Sequence, residues 1–209
     1  MPSRDELKAE LRKAIAPKNK GIKATADDRQ FIASLVARVE EVNPTPAPLS
    51  APDLLSGDWR LLYTTSEELL GIDKFPLAQL NNIYQCVRPD TLSIYNIAEI
   101  ESLPFCEAIV SVVAGFAPAE VDGNVSDSRV NVRFNRGVIG LQRALGYQSP
   151  SQYISKLELD KKFNLLQGID FEINSSRQQG WLEVTYLDED MRIGRGNQGS
   201  LFVLSRSSR

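Results

Sequence analysis

Histidine is absent from all 209 residues. That removes Ser-His-Asp and Cys-His catalysis, His-ligated zinc and imidazole proton shuttles at once. Cysteine is nearly absent: Cys86 and Cys106 are the only two, and in a chain without an export signal such a pair reads as reduced core thiols rather than a disulfide framework. The Met1-Pro-Ser-Arg-Asp-Glu6 start has neither an apolar stretch for export nor the acid-poor character of an organelle transit peptide, so the sequons at Asn124 and Asn174 carry no weight. The longest apolar run, Ala108 to Ala119, is interrupted by Ser111 and too short for a membrane-spanning helix. Basic charge is not in excess either. With 24 Lys and Arg against 27 Asp and Glu, the net charge of -3 points away from nucleic acid. Nucleophile elbows and paired carboxylates at catalytic spacing are lacking, so no catalytic residue, metal or cofactor is expected.

What is present is an ordinary globular composition, 42% hydrophobic and 24% charged, enough for one sizeable core. Ser3 with Glu6 forms a capping box ahead of Leu7, Leu11 and Ile15, and Pro17 stops that helix. Thr25 with Asp28 opens a second helix with a broad apolar stripe, Phe31, Ile32, Leu35, Val36, Val39 and Val42, ending at Asn43-Pro44. Residues 1–43 are therefore expected to be a helical hairpin, 44–52 a Pro-rich extended linker and 53–209 the main domain. The hairpin's stripe calls for cover, either as a cap on the main domain or as a docking surface for a partner or membrane.

The rest reads as strands. Leu55 to Thr65 comes first, with Trp59, Leu61 and Tyr63 on one side of a period-2 pattern. Ile83–Val87, Thr91–Ile100, Glu107–Phe116, Glu120–Val125, Arg129–Asn135, Tyr153–Leu159, Phe171–Asn174, Trp181–Leu187 and two tail segments follow, many separated by turn chemistry such as Arg88-Pro89-Asp90 and Asp122-Gly123-Asn124. Ser66–Leu80 and Gly137–Ser151 read as flaps over a mouth. Eight to ten strands without helical crossovers predict an antiparallel sheet that closes into a barrel or splits into a sandwich. Gly194-Arg-Gly196-Asn-Gln-Gly199 matches the dinucleotide fingerprint literally, but a strand follows it where a helix is required, so a hairpin turn is expected. Asp188-Glu-Asp190 lacks the next ligand of a calcium loop, because Arg192 stands there; an acidic turn neutralised by Arg192 and Arg195 is expected, with a buried Asp190–arginine pair that orients a ligand head group as the alternative.

Gly57-x-Trp59 opening a first strand resembles the lipocalin signature, in which an arginine from the last strand lies over the indole. Arg192, Arg195 and Arg206 are the candidates. Such a contact is worth roughly 0.5–2 kcal/mol. Aromatics on the strands, Tyr63, Tyr84, Tyr95, Phe134 and Tyr186 among them, are either core or the lining of a cavity. About 400 Å² of buried acyl or isoprenoid surface would release on the order of 10 kcal/mol before association costs, with no catalyst needed.

Leu55-Ser-Gly-Asp-Trp-Arg-Leu-Leu-Tyr-Thr-Thr-Ser66 and Tyr186-Leu-Asp-Glu-Asp-Met-Arg-Ile-Gly-Arg-Gly-Asn-Gln-Gly-Ser-Leu-Phe-Val-Leu204 together resemble the plastid lipid-associated proteins, or fibrillins. The resemblance, over about residues 5–204, implies a mainly β fold: a lipocalin-like antiparallel β-barrel behind the N-terminal α-helical hairpin. It implies non-enzymatic binding of a lipophilic small molecule (an isoprenoid, quinone, carotenoid or acyl lipid) with peripheral membrane contact, and a role in photoprotection or lipid organisation. Without a transit peptide, a cyanobacterial member at the thylakoid or in the cytoplasm is expected. The alternative it leaves open is a filled barrel whose hairpin or strand edge docks an enzyme of prenylquinone synthesis. Expected ligand contacts are Trp59, Tyr63, Phe134, Tyr186, Asp190, Arg192 and Arg195; Gly57 and Gly196 belong to the same two blocks.

Overall fold

A computed structural model of the chain describes residues 2–66, 79–101, 107–159, 162–174 and 179–207. Both predicted capping boxes form. Ser3 accepts from the backbone of Glu6 and opens α1 (Arg4–Ile15); Thr25 does the same for Asp28 at α2 (Ala26–Glu40). A 3-10 turn over Pro48–Ser50 and a one-turn helix α3 (Pro52–Leu55) lead into the first strand.

Nine strands make one sheet: β1 (Gly57–Thr64), β2 (Gln79–Arg88), β3 (Ser93–Glu101), β4 (Ala108–Val121), β5 (Asn124–Leu141), β6 (Ile169–Glu172), β7 (Gln179–Leu187), β8 (Met191–Gly196) and β9 (Leu201–Arg206). Their order is β4-β3-β2-β1-β9-β8-β7-β5-β6, and β4 also pairs with β5, so eight strands close an antiparallel barrel. The ninth, β6, pairs with the upper half of β5 beyond the reach of β7. The expected mainly β barrel behind helices is the fold observed.

Several expectations need correction. Tyr153–Leu159 is not a strand. It belongs to helix α5 (Pro150–Leu159), whose Tyr153, Ile154 and Leu157 are buried at helical spacing. The stretch 137–151 is no flap: it finishes β5, forms the one-turn helix α4 (Gln142–Leu145) and runs into α5. The predicted segments between Glu107 and Asn135 are one long hairpin, turning at Asp122-Gly123 with φ of 50° and 79°. The pattern placing Tyr63 beside Trp59 and Leu61 fails at a bulge between Leu61 and Tyr63, which flips Tyr63 to the outer wall. Most of the Ser66–Leu80 flap, and Cys106, lie outside the described residues. Cys86 is a buried free thiol, its pKa pushed up by burial.

Two helical layers cover opposite parts of the wall. Leu7, Leu11 and Ile15 of α1 and Ile32, Leu35, Val36 and Val39 of α2 pack on Tyr63, Tyr186, Met191, Ile193 and Val203. Leu145, Tyr153, Ile154 and Leu157 pack with Phe163 on Cys86, Tyr95, Ile97, Ile109 and Val138, and Tyr153 shares a 2.8 Å hydrogen bond with Ser111. The hairpin thus buries Ile32, Leu35, Val36 and Val39 of its stripe against the outer wall of the barrel, not over an open end, and leaves Phe31 and Val42 exposed.

Candidate functional site

Directly paired residues on adjacent strands share a face, so the register identifies the lining. Trp59 pairs with Gln85 and Arg206, Gln85 with Asn96, Asn96 with Val112 and Val112 with Gly137. Arg192 pairs with Leu204 and Leu187, and Phe134 with Ala114. These residues face inward, together with Ile83, Val110, Phe116, Leu182 and Phe202.

One end is sealed. The Trp59 indole is fully buried and donates Nε1–H to the Leu55 carbonyl at 3.0 Å. Arg206, from the last strand, lies 4.2 Å from the ring centroid. It donates to the carbonyls of Ser56 at 2.7 Å, Glu189 at 2.6 Å and Leu54, tying α3 and the β7–β8 turn to the floor. Gly57 makes room for it: φ is +147° and a Cβ there would come within 2.5 Å of Arg206 Nη1. Arg192 lies over the same indole at 5.1 Å.

The other end opens. Trp59, Val87, Leu187, Arg192 and Leu204 near the floor are buried, and Gln85 and Asn96 at that end are partly exposed; higher up Ile83, Leu80 and Ala98 are buried, Val112, Phe134 and Phe202 are partly exposed, and Ile139 and Leu141 at the top are exposed. A filled barrel would bury mid-strand inward residues throughout. Here Leu61, Ile83, Ala98 and Val184 are packed with Trp59, while Val110, Val112 and Phe134 stay partly exposed, which leaves a funnel along β4 and β5.

Its rim is apolar. Ile169 pairs with Ile139, and Phe171 lies over Gly137, where a Cβ would meet the ring at 2.5 Å. Beside them a turn carries Leu165 and Leu166 at 90% and 92% exposure, with Leu159 at the end of α5 at 83%. The turn is held firmly. Asn164 Oδ1 accepts from the backbones of Leu166 and Gln167, both at 3.1 Å, Phe163 is buried, and the Asp170 carboxylate accepts Phe163 N–H at 2.8 Å while pairing with Arg136 at 2.7 Å. Lys162 flanks the turn and is exposed.

Of the residues expected to touch a ligand, Trp59, Phe134 and Arg192 face the interior: Arg192 lies over Trp59, and Phe134 packs separately with Ala114, Val130 and Val132. Tyr63 and Tyr186 lie on the outer wall beneath α1 and α2. Asp190 meets Lys8 and, at 2.8 Å, Arg12, while Arg195 meets Glu40 at 2.8 Å, so both fasten the hairpin. Asp188 is buried beneath them and accepts from Lys8 at 2.6 Å, from Tyr186 and from the backbone of Met191 at 2.8 Å. Although burial works against charge at both groups, these contacts hold the Asp190 carboxyl below its ordinary range and raise Lys8. Sequence reasoning missed Gln85 and Asn96. The signal was there: two amides in the third and second positions of adjoining strand patterns, on the apolar side. A groove of about 580 Å³ lies outside the barrel between α1 and β1–β2, but its Arg12 is committed to Asp190 and its Lys20 donates to the Leu80 carbonyl.

Comparison with known proteins gives a consistent result. The PAP_fibrillin family model matches residues 5–205. Plastoglobulin-1 of Pisum sativum is 34% identical over 206 residues, covering 89% of this chain and 56% of that protein. Probable plastid-lipid-associated protein 3 of Arabidopsis thaliana is 33% identical over 96% of this chain and 58% of its own length. The chromoplast-specific carotenoid-associated protein of Cucumis sativus is 32% identical over 95% and 67%. The chain therefore spans little more than half the length of the first two relatives. No solved structure matches it.

Proposed function

The chain belongs to the PAP/fibrillin family, and from that premise we propose that it is a non-enzymatic carrier or organiser of a lipophilic molecule, held in the funnel and exchanged with a membrane at the apolar rim. One observation carries the reading: along β4 and β5 the inward residues Val112, Val110 and Phe134 stay partly exposed and Ile139 and Leu141 at the mouth are exposed, while Trp59 closes the opposite end. An apolar concavity closed at one end and open at the other is suited to an elongated apolar guest. Ligand contacts in this reading are Trp59, Phe134 and Arg192, while Tyr63, Tyr186, Asp190 and Arg195 hold the hairpin.

The rim supplies the peripheral contact. Leu165, Leu166, Ile169 and Phe171 are exposed together, with Lys162 beside them suited to an anionic surface. Among the described residues no helix is long and apolar enough to cross a membrane. The printed names of the relatives, plastid-lipid-associated and carotenoid-associated, support lipid association; a thylakoid setting in a cyanobacterium and a part in photoprotection belong to the same proposal. The scaffold alternative is weaker, because the inward face along β4 and β5 stays partly accessible and the hairpin's stripe is covered except at Phe31 and Val42.

The test is to purify the protein from a photosynthetic host, record native mass spectra and extract whatever is bound. A stoichiometric quinone, carotenoid or acyl lipid is expected. A protein empty on isolation, and still empty after incubation with thylakoid lipid extract, would refute the reading.

A further inference from the structure

The funnel's floor holds a charge that no carboxylate among the described residues pairs with. Arg192 is 2% exposed, and its guanidinium has five N–H donors. The one acceptor it meets among the described residues is the amide oxygen of Gln85. Its other contact is the face of Trp59. The nearby carboxylates are used outside the barrel: Asp188 and Asp190 by Lys8, Glu40 by Arg195, Asp58 by Arg88. Burial, aided by repulsion from the neighbouring Arg206 cation, pushes the Arg192 pKa down to about 9. A buried cation without an anion is costly, and apolar replacement of such groups is frequently neutral or stabilising.

Gln85 completes the arrangement. Its Nε2 donates to Asn96 Oδ1 at 3.1 Å, which fixes the amide so that its oxygen is turned to Arg192. Gln85 and Asn96 are both partly exposed to the funnel. A short polar chain therefore crosses the closed end of an otherwise apolar interior, with donors left over and no acceptor.

We propose that Arg192 and Gln85 form a head-group site for a long-chain lipid bearing a single carboxylate, which enters carboxylate first and leaves its tail toward the Ile139–Leu141 mouth. This rests on the lipid-binding reading above and narrows it: a planar carboxylate matches the guanidinium fork, whereas a carotenoid or a neutral quinone leaves the charge uncompensated.

The experiment compares the fluorescence-detected binding of cis-parinaric acid and its methyl ester to the full chain. In the wild type the acid binds at least tenfold tighter than the ester. Arg192→Met removes that preference and does not lower the melting temperature. Gln85→Glu installs an internal carboxylate against Arg192; it raises the melting temperature and removes the preference without deleting the cation, which keeps the test valid if Arg192→Met does not fold. Equal binding of acid and ester by the wild type overturns the head-group site but leaves lipid binding standing. Retention of the acid preference in Gln85→Glu also overturns it, since Arg192 then acts only as packing for Trp59. Binding of neither probe overturns both readings.

Discussion

Trp59 is the residue on which the closed end depends. Its ring is fully buried, its N–H is satisfied by Leu55, and two guanidinium groups lie over its face. Trp59→Ala should therefore cost about 3–5 kcal/mol, the range for deleting a buried aromatic, measured as a shift of the urea midpoint at unchanged slope. Retained lipid binding by a folded Trp59→Ala protein would assign the indole to closure alone. The contact between Trp59 and a C-terminal arginine was legible in the sequence, since Gly57-x-Trp59 and the arginine-bearing tail suggested it together. Which arginine did what was not. Bulges at Leu61/Tyr63 and Val184/Tyr186 reset the alternation along β1 and β7, so a strict period of two puts Tyr63 and Tyr186 on the wrong wall. Local pattern cannot register an extra residue that only the partner strand reveals.

Among the elements, the helices of the hairpin were the most legible because capping boxes and a 3.6-residue stripe are local signals. Helix α5 was the least. Tyr153, Ile154 and Leu157 also suit a strand of β-branched and aromatic residues, and the choice is made by the wall it packs on rather than by its own composition. The turn between α5 and β6 has a different logic: its backbone is pinned by Asn164 and Asp170 while its two leucines point to solvent. Leu165→Asp with Leu166→Asp should leave stability within about 0.5 kcal/mol, as expected for exposed positions. The double variant should lose at least most of its co-sedimentation with vesicles containing anionic lipid. Undiminished sedimentation would remove this rim from the membrane contact.

For the whole molecule, carboxylates on the outer surface join parts distant in sequence: Asp190 holds α1 to the start of β8, Asp170 holds the α5–β6 turn to Arg136 of β5, and Asp58 bridges Arg88 with Ser151 at the start of α5. Burial opposes ionisation at all three, yet hydrogen bonds and cationic partners leave each below its ordinary value. Their unfolded-state values lie near 4, so the unfolded chain binds more protons in acid. The stability they contribute is fully present above that range and is lost as pH falls through the depressed folded values. The urea midpoint should thus drop between pH 6 and pH 2.5, and Asp170→Asn should flatten the slope; a midpoint constant over that interval would contradict the assignment. The order of the strands also sets a timetable for synthesis. Arg206 reaches a carbonyl 150 positions earlier, and β1 completes its pairing only with β9. On the ribosome the sheet therefore waits, with β1 and β8 both unpaired on the side that β9 will fill, until nearly all of this sequence has emerged, and closure by so distant a partner is slow. During that interval the interior is accessible from the side as well as from the mouth, so a guest can be enclosed as the chain is made.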